Sequence, residues 1–387
     1  MKKQVLLRAP LLTYSGYGTH SRQIFRWLLT RPDIDVYCQL VPWGITPWMI
    51  NPDFEGGLVG EIMKRSNDLT NHKFDVSLQV QLPNEWDPNL ATVNIGISAV
   101  VETDRCNPQW VMNCNNMQHV IVPSTFTKNV LLNSGHCTTP ITVVPECFYD
   151  EIVEENIPES NLDFETDFNF LLFGQFTGHS PETDRKNLFN TLRLMCHIFK
   201  DDPNVGIVLK TNSGRNTTID KSITEKTVRQ VISEVRIGEY PKVHLLHGRY
   251  SSSEIASLHR HPKIKCLVSL TRGEGFGLPL LEAAASGLPI IATNWSGHLD
   301  FLNLGKFIPV SYRLENIPQS RTDNQIFMQG SSWAEFDEAN AISRLQKFRK
   351  SPYMPQKWAQ ELREKLLKTH TQNAINAKYN EALGRYM

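Results

Sequence analysis

The sequence predicts an α/β protein with parallel sheets, divided into two domains of similar size. Apolar runs of strand length recur along the chain and alternate with segments of helical, amphipathic spacing. Continuous runs rich in Val, Ile and Leu are typical of strands that are buried on both faces. The length of 387 residues suggests two or three domains at ~150 residues each. Strand–helix alternation over this length favours parallel sheets.

The apolar runs and the segments between them predict the individual elements. Strands are expected at residues 5–7, 76–80, 93–97, 120–122, 141–144, 170–173, 205–209, 243–246, 266–270 and 289–292. Helices are expected at 20–29, 125–132, 188–199, 224–235 and 254–259. Residues 333–387 also have a helical pattern, which Pro352 and Pro355 interrupt.

A break in composition divides the strand pattern. Acidic and polar residues dominate residues 149–167 (YDEIVEENIPESNLDFETD), and the strand pattern restarts at Phe170. We interpret this segment as a linker. It predicts a first domain at 1–160, a second at 161–370, and a C-terminal helix at 371–387 that returns to the first domain. A long surface loop within one domain is the alternative.

Charge and composition exclude several classes of protein. Lys plus Arg and Asp plus Glu number 40 each, which argues against a basic surface that coats nucleic acid. No run reaches the roughly 18 apolar residues of a membrane span, and the N-terminus lacks the apolar region of a signal peptide. The 7 scattered cysteines contain no C-x-x-C pair, which favours reduced thiols and a cytoplasmic protein.

The densest group of candidate site residues lies at 265–300. A predicted strand there precedes a glycine-rich loop at 271–277, and Pro279 suits the first position of a helix. Three alanines continue this helix, and Gly287 suits its end. Free N–H groups at a helix start attract anions, and glycines let a ligand approach the backbone closely.

Two glutamates accompany this loop and indicate a class of ligand. Glu274 lies in the loop, and Glu282 follows near the first helical turn. Carboxylates accept hydrogen bonds from hydroxyls, whereas the N–H groups suit phosphate. A ligand with a central diphosphate and hydroxyl-bearing arms fits both, and a nucleotide sugar has that form. The alternative is that both glutamates only stabilise the helix N-terminus.

The segment GEGFGLPLLEAAASGLP resembles the E-x7-E signature of retaining glycosyltransferases of the GT-B fold, family 4 type. Weaker stretches extend the resemblance over most of the chain. It implies two Rossmann-like domains with parallel sheets that face across a cleft, with the donor on the C-terminal domain and the acceptor mostly on the N-terminal one. It also implies that Glu274 contacts sugar hydroxyls and that Glu282 holds the ribose. The implied backbone contacts to the donor are Gly275, Phe276, Gly277 and Leu278.

A second group of candidates follows the strand at 170–173, in the segment GQFTGHSPETDRKNL. Similar enzymes carry an Arg and then a Lys here, both on the donor diphosphate. Lys186 matches the Lys, Gln175 replaces the Arg, and Arg185 is placed to compensate. Fixed cations help because the departing diphosphate gains charge in the transition state. A solvated first helical turn is the alternative.

Three more donor-binding candidates follow later strands. Lys210 ends the strand before TNSG, and Arg249 and Tyr250 stand where related enzymes accommodate the nucleobase. Arg249 or Tyr250 would stack on a base. A turn that requires Gly248 explains the same pattern.

The loop after the first strand, TYSGYGTHSRQ, carries Gly16 and Gly18. It lacks the third glycine of the dinucleotide-binding fingerprint, which disfavours a dehydrogenase. In the resembling family such a loop lies near the diphosphate, so both glycines are expected to contact the donor; a purely structural turn is the alternative. His20 and Arg22 are expected to be capping or surface residues.

The segment SAVVETDRC follows the strand at 93–97, where many family members carry a His near the transferred sugar. Glu102 and Asp104 stand near that place, as candidates for binding hydroxyls or for acid–base catalysis. A surface turn is the alternative. Trp43 and Trp48, in PWGITPW, are either a stacking platform for an acceptor or local plugs.

Together these features predict a retaining, metal-independent glycosyltransferase that moves a sugar from a nucleotide-diphosphate sugar to an acceptor hydroxyl. The resemblance implies no cofactor and no metal site. The acceptor stays open between a glycan, a small molecule and modified DNA. One alternative is a phage-type enzyme that glycosylates hydroxymethylated cytosine in DNA. Another is a nucleotide-sugar-binding protein without catalysis, which Gln175 and the missing His would favour.

Overall fold

A computed structural model describes residues 2–66, 69, 72–178, 180–212, 214 and 216–387 of the chain. The strands are β1 (Lys3–Ala9), β2 (Ile34–Leu40), β3 (Phe74–Val80), β4 (Ala91–Ile97), β5 (His119–Val122), β6 (Ile141–Val143), β7 (Phe168–Phe173), β8 (Val205–Thr211), β9 (Lys242–His247), β10 (Ile264–Ser269), β11 (Ile290–Thr293), β12 (Ile308–Val310), β13 (Tyr312–Asn316) and β14 (Ser332–Phe336). The helices are α1 (Gly16–Leu29), α2 (Leu58–Lys64), α3 (Pro108–Asn115), α4 (Thr125–Ser134), α5 (Leu188–Ile198), α6 (Thr218–Val235), α7 (Ser252–His259), α8 (Leu278–Ala285), α9 (Leu299–Leu302), α10 (Glu338–Lys350), α11 (Tyr353–Thr369) and α12 (Gln372–Leu383).

The chain divides into two compact units. The first consists of Met1–Cys147, Asn324–Met328 and Gln372–Met387, and the second of Phe148–Asp323 and Gln329–Thr371. The division comes earlier than residue 160, where the composition alone placed it. The reason is that Phe148, Ile152 and Phe164, within the acidic segment, are buried in a core of the second unit.

The first unit is built on a parallel six-stranded sheet in the order β2-β1-β3-β4-β5-β6. Val5, Leu7 and Ala9 of β1 are fully buried on one face of this sheet. Apolar side chains of α1 and α12 join the same core. The final helix therefore completes the core that the first strand begins.

The second unit holds a parallel six-stranded sheet in the order β12-β11-β10-β7-β8-β9. The order along the chain reverses between β7 and β10, which pair directly. Ligands of such sheets bind outside the carboxyl ends of the strands at this reversal. The two parallel sheets confirm the predicted α/β fold class.

The predicted apolar runs match ten of the twelve strands of the two large sheets, all but the edge strands β2 and β12, and the agreement is weaker near the C-terminus. Strands β13 and β14 form a small antiparallel pair, and β14 lies where a helical pattern was predicted. Four of the five residues of β13 are exposed, so the strand lacks the apolar pattern that would reveal it. In the described part of the chain, no helix combines the length and the apolar character that crossing a membrane requires.

The expectation that His20 and Arg22 are capping or surface residues is wrong, because both are buried in the first unit. His20 Nε2 lies 2.9 Å from the hydroxyl of Tyr379. Arg22 donates to Glu55 at 2.6 Å and to the carbonyl of Leu11 at 3.0 Å. Partners from distant parts of the chain thus satisfy the side chains of His20 and Arg22, which the local sequence suggests are exposed to solvent.

Candidate active site

The glycine-rich loop after β10 leads directly into α8, as the sequence predicts. Gly277 precedes this helix with φ +100, and Pro279 lies in its first turn. A Cβ atom at Gly277 would lie 3.1 Å from Cβ of His298 and 3.1 Å from Cδ1 of Leu280. Both the conformation and the close packing therefore require glycine at this position.

Glu274 of this loop is paired with Lys186, which lies in the segment between β7 and α5. The Lys186 ammonium donates to both carboxylate oxygens, at 2.5 and 2.6 Å. The two residues come together because β7 and β10 are neighbours in the sheet. Burial raises the pKa of Glu274, but the charges of Lys186 and Arg185 outweigh burial and hold it below the ordinary value. Glu274 is therefore ionised at neutral pH.

The backbone of Glu274 is fixed by the loop after β11. Its N–H donates to Ser296 Oγ at 2.9 Å, and its carbonyl accepts from the N–H of Gly297 at 2.9 Å. Ser296 Oγ also lies 3.3 Å from Nδ1 of buried His298, whose Nε2 lies 2.8 Å from the Thr293 carbonyl. Burial lowers the pKa of His298, so the ring is neutral and holds the loop without adding charge.

Glu282 is buried on α8 at 9% exposure. Within the described part of the chain, no hydrogen bond or ion pair involves its carboxyl group. Burial raises its pKa to about 8. A buried polar group without a partner is costly, and such groups mark places where a ligand supplies the missing hydrogen bonds.

The segment that carries Lys186 is folded tightly on itself. The buried carboxylate of Asp184 accepts from the Thr177 N–H at 2.9 Å and from the Leu188 N–H, at the start of α5, at 2.7 Å. Arg185 donates from Nη1 to the Gly273 carbonyl at 3.1 Å, which joins this segment to the glycine-rich loop. Gln175, at the other end of the segment, is exposed. The structure thus brings Arg185, Lys186 and Glu274 together.

Lys210, Arg249 and Tyr250 lie at the carboxyl ends of β8 and β9. Lys210 is 2% exposed and donates to the Gly248 carbonyl at 2.5 Å. Its ammonium lies 4.5 Å from the centroid of the Tyr250 ring, and burial lowers its pKa to about 8. Tyr250 is half-buried and Arg249 is exposed. Lys210 therefore supports the turn that presents the other two residues.

The candidates of the first unit lie after β1 and after β4. Gly16 has open space where a Cβ would be, whereas a Cβ at Gly18 would lie 2.1 Å from the Thr13 carbonyl oxygen. The close approach at Gly18 is thus made by the chain itself. Trp43 stacks on the Tyr17 ring at 3.8 Å.

The Tyr17 hydroxyl accepts from the Ala99 N–H at 2.9 Å and lies 3.0 Å from Ser98 Oγ. Burial raises the Tyr17 pKa, and the charge of Glu102 adds to the effect. Glu102 is half-buried, as is Asp104, whose carboxylate lies 3.7 Å from Nε of Arg105. Glu102 therefore lies near the start of α1, whereas Asp104 has a local cation for a neighbour.

Three residues that hold the two loops of the site were not predicted from the sequence: Arg272, Ser296 and His298. Arg272 lies near the start of the glycine-rich loop, directly after an apolar strand, and a charge in such a buried setting is the signal that would have identified it. Ser296 and His298 follow β11 in a polar turn without a recognisable pattern.

Comparison with known proteins finds a family match within the second unit. Residues 183–310 match the family model described as "Glycosyl transferases group 1". That segment contains Lys186, Glu274 and Glu282. No curated protein matches the chain at the level of sequence.

Solved structures share the fold over nearly the whole chain. Sucrose-phosphate synthase from Thermosynechococcus elongatus is 14% identical with a TM-score of 0.64, covering 99% of both chains. A glycosyltransferase from Rickettsia africae is 14% identical with a TM-score of 0.63, covering 100% of this chain and 98% of the other. HepE from Anabaena, in complex with UDP and glucose, is 13% identical with a TM-score of 0.61, covering 99% and 100%. At these identities the likeness concerns the fold.

The two parallel sheets and these matches define the fold as that of GT-B glycosyltransferases. With the matched domain, the chain is a glycosyltransferase, which confirms the enzyme class expected from the sequence.

Proposed function

We propose that this chain is a retaining glycosyltransferase of the family 4 type that takes its sugar from a nucleotide-diphosphate sugar. The observation that carries the proposal is the ion pair between Lys186 and Glu274. Glu274 lies on the same loop-and-helix segment as Glu282, whose buried carboxyl has no partner among the described residues. A cation for phosphate and two acceptors for hydroxyls are the groups that such a donor requires.

Each group has a distinct role in this proposal. Glu274 accepts hydrogen bonds from hydroxyls of the transferred sugar while it keeps Lys186 in place. Glu282 accepts from the ribose hydroxyls, and the backbone of residues 275–278 contacts the donor. Lys210, Arg249 and Tyr250 form the side of the site that receives the base, with Lys210 beneath the turn.

Lys186 and Arg185 promote departure of the nucleoside diphosphate. Negative charge grows on the leaving oxygen as the bond to the sugar breaks, so fixed cations stabilise the transition state more than the ground state. The acceptor hydroxyl attacks from the face that the diphosphate leaves and gives its proton to the leaving oxygen. Because two cations supply the positive charge, the proposed reaction needs no metal ion.

The identity of the nucleotide is the first point to test. UDP is the natural starting candidate, because the similarly folded HepE is described in complex with UDP and glucose. The acceptor is tested among glycans, small molecules and duplex DNA that contains hydroxymethylcytosine. The balanced charge of the chain makes DNA the least favoured of these.

A donor screen by thermal shift tests the proposal. A ligand that binds the native state raises stability by RT ln(1 + [L]/Kd). We expect one class of nucleotide sugar to raise the Tm of the wild type and of Lys200→Ala, which removes an exposed lysine of the same unit. Lys186→Ala should lose the shift. The absence of a shift with any nucleotide or nucleotide sugar would contradict the proposal.

A further inference from the structure

Arg272 is a buried cation that the proposed chemistry does not use. It is 5% exposed and lies near the start of the glycine-rich loop that follows β10. Its guanidinium carbon lies 5.0 Å from the Trp333 ring centroid, so one face of the group is covered. A buried charge persists only where hydrogen bonds compensate for the lost water.

The compensation comes from the backbone of the segment that carries Lys186. Arg272 Nη1 donates to the carbonyls of Pro181 at 2.7 Å, Asp184 at 2.9 Å and Glu182 at 3.1 Å. The Arg272 backbone N–H also donates to the Arg185 carbonyl at 2.9 Å. One residue thus holds four carbonyl groups that precede Lys186.

The other edge of the guanidinium binds Glu335 of β14. Nε and Nη2 of Arg272 both lie 2.7 Å from Oε2 of Glu335. Oε1 of Glu335 accepts from Nδ2 of Asn187 at 3.2 Å. Lys186 is therefore flanked on both sides by residues that Arg272 or its carboxylate partner fixes.

The Arg272–Glu335 ion pair is better explained as a means of orienting its neighbours than as a source of stability. Removing two charges from water costs about as much as their attraction returns, so apolar residues would stabilise the same space equally well. Arginine offers a planar fork of donors that can bind several carbonyls and a carboxylate at once, which lysine cannot. The contacts of Arg272 use all three nitrogens of that fork.

We propose that Arg272 is a positioning residue for the transfer reaction: through its contacts to residues 181–185 and Glu335, it sets the place of the Lys186 ammonium against Glu274. The role in transfer rests on the proposed function, whereas the effect on the segment does not. Loss of Arg272 displaces Lys186, and misplacement by about 1 Å costs on the order of 10²-fold in rate.

Two variants and one matched control test this inference. Arg272→Met removes the guanidinium group. Glu335→Gln removes the negative charge of its partner but keeps the shape of that side chain. Arg349→Met is the control, because Arg349 also pairs with a carboxylate, Asp202, at 3.0 Å and also covers an aromatic ring, Phe168, at 4.6 Å. Arg349 contacts none of the loops of the site in the described residues.

The first measurement is amide hydrogen exchange without ligand. We expect peptides that span 180–188 to exchange about tenfold faster or more in Arg272→Met, as local opening becomes easier. Glu335→Gln should show a smaller increase, and Arg349→Met none in this segment. Equal exchange in Arg272→Met and Arg349→Met would overturn the inference. If Arg272→Met does not fold, Glu335→Gln against Asp202→Asn decides the same question.

The second measurement is donor turnover. Arg272→Met should lower kcat about 10²-fold with a smaller change in KM. In the Lys186→Ala background the same substitution should change kcat by less than about twofold, because coupled residues are not additive. Multiplied losses in the double variant would overturn the inference. A wild type without turnover on any donor would contradict the proposed function, while hydrogen exchange would still decide the effect of Arg272.

Discussion

The Lys186 ammonium bridges both carboxylate oxygens of Glu274, at 2.5 and 2.6 Å, although the two residues are 88 positions apart. They meet because β7 and β10 are adjacent where the strand order reverses. In the proposed function, the residue that binds the sugar thus also holds the cation that binds the leaving group. Bond breaking and its stabilisation are coupled through one pair of side chains.

Removing either member of this pair should reduce transfer strongly and leave the fold intact. We expect Lys186→Ala and Glu274→Ala to lower kcat about 10²- to 10³-fold, as loss of one group that stabilises transition-state charge does. Steady-state kinetics with the donor found by thermal shift is the measurement, with Lys200→Ala as control. Full activity in both variants would reject the assignment.

The same pair should make stability depend on acid pH. The pKa of Glu274 in the folded state lies below its ordinary value of 4.5. Its stabilising contribution is therefore present above that value and is lost as pH falls through the folded-state pKa. Lys186→Met should lower the free energy of unfolding by about 2 kcal/mol at pH 7, since it leaves a buried charge without its partner. Urea titrations from pH 7 to pH 3 should show this difference shrinking; a constant difference would contradict the account.

Glu282 should show the opposite dependence. Burial raises its folded-state pKa from 4.5 to about 8. The folded state then binds more protons than the unfolded state between these values, so the wild type loses stability as pH rises across the interval. Glu282→Gln has no such loss. As pH rises, its free energy of unfolding should come to exceed that of the wild type by up to several kcal/mol, at about 1.4 kcal/mol per pKa unit. Parallel stability curves for the two proteins would exclude the raised pKa.

Donor binding should release a proton from Glu282. Ribose hydroxyls donate to the charged form of Glu282, so a bound donor lowers its pKa. We expect affinity for the donor to increase as pH rises from about 6 to about 8, because Glu282 of the free protein has a pKa of about 8 and loses its proton over this range. Titration calorimetry in buffers of different ionisation enthalpy would count the protons. Glu282→Gln should bind more weakly and without this pH dependence.

The glycine before α8 should be sensitive to a single methyl group. Gly277→Ala combines a left-handed conformation with contacts at 3.1 Å to His298 and Leu280. We expect it to lower the free energy of unfolding by about 1–3 kcal/mol and to weaken donor binding. Gly238→Ala is the control, because φ there is +85 but no atom lies within 4 Å of the added Cβ. It should cost about 1 kcal/mol and leave binding unchanged. Equal effects would show that the contacts at Gly277 are unimportant.

The sheets of this fold could be predicted because their strands are continuous apolar runs. The turn and helix around Gly277 and Gly287 could also be predicted, since proline and glycine restrict the backbone locally. Strand β13 could not, because four of its five residues are exposed and carry no apolar pattern, and its partner β14 was predicted as part of a helical segment.

The candidate site was predictable only in part. The residue types at 274 and 282 predicted a nucleotide-sugar site, and the resemblance added Lys186. That Lys186 pairs with Glu274 was not predicted. The partners that hold them were not predictable. Arg272 and Glu335 are 63 residues apart, and His20 and Tyr379 are 359 apart. Such contacts depend on how strands and helices pack, which no local pattern encodes.

Helix α12 has a consequence for how the protein is made. Ile375, Tyr379 and Leu383 complete the core of the first unit, and Tyr379 stacks on Trp27 at 4.9 Å. A ribosome makes the strands of that unit early but makes this helix only after residues 148–371. The nascent amino-terminal portion therefore waits with an open apolar face while the following portion is translated. Residues 148–371 are translated before this helix, so the second unit can complete its core before the first unit does, the reverse of their order along the chain.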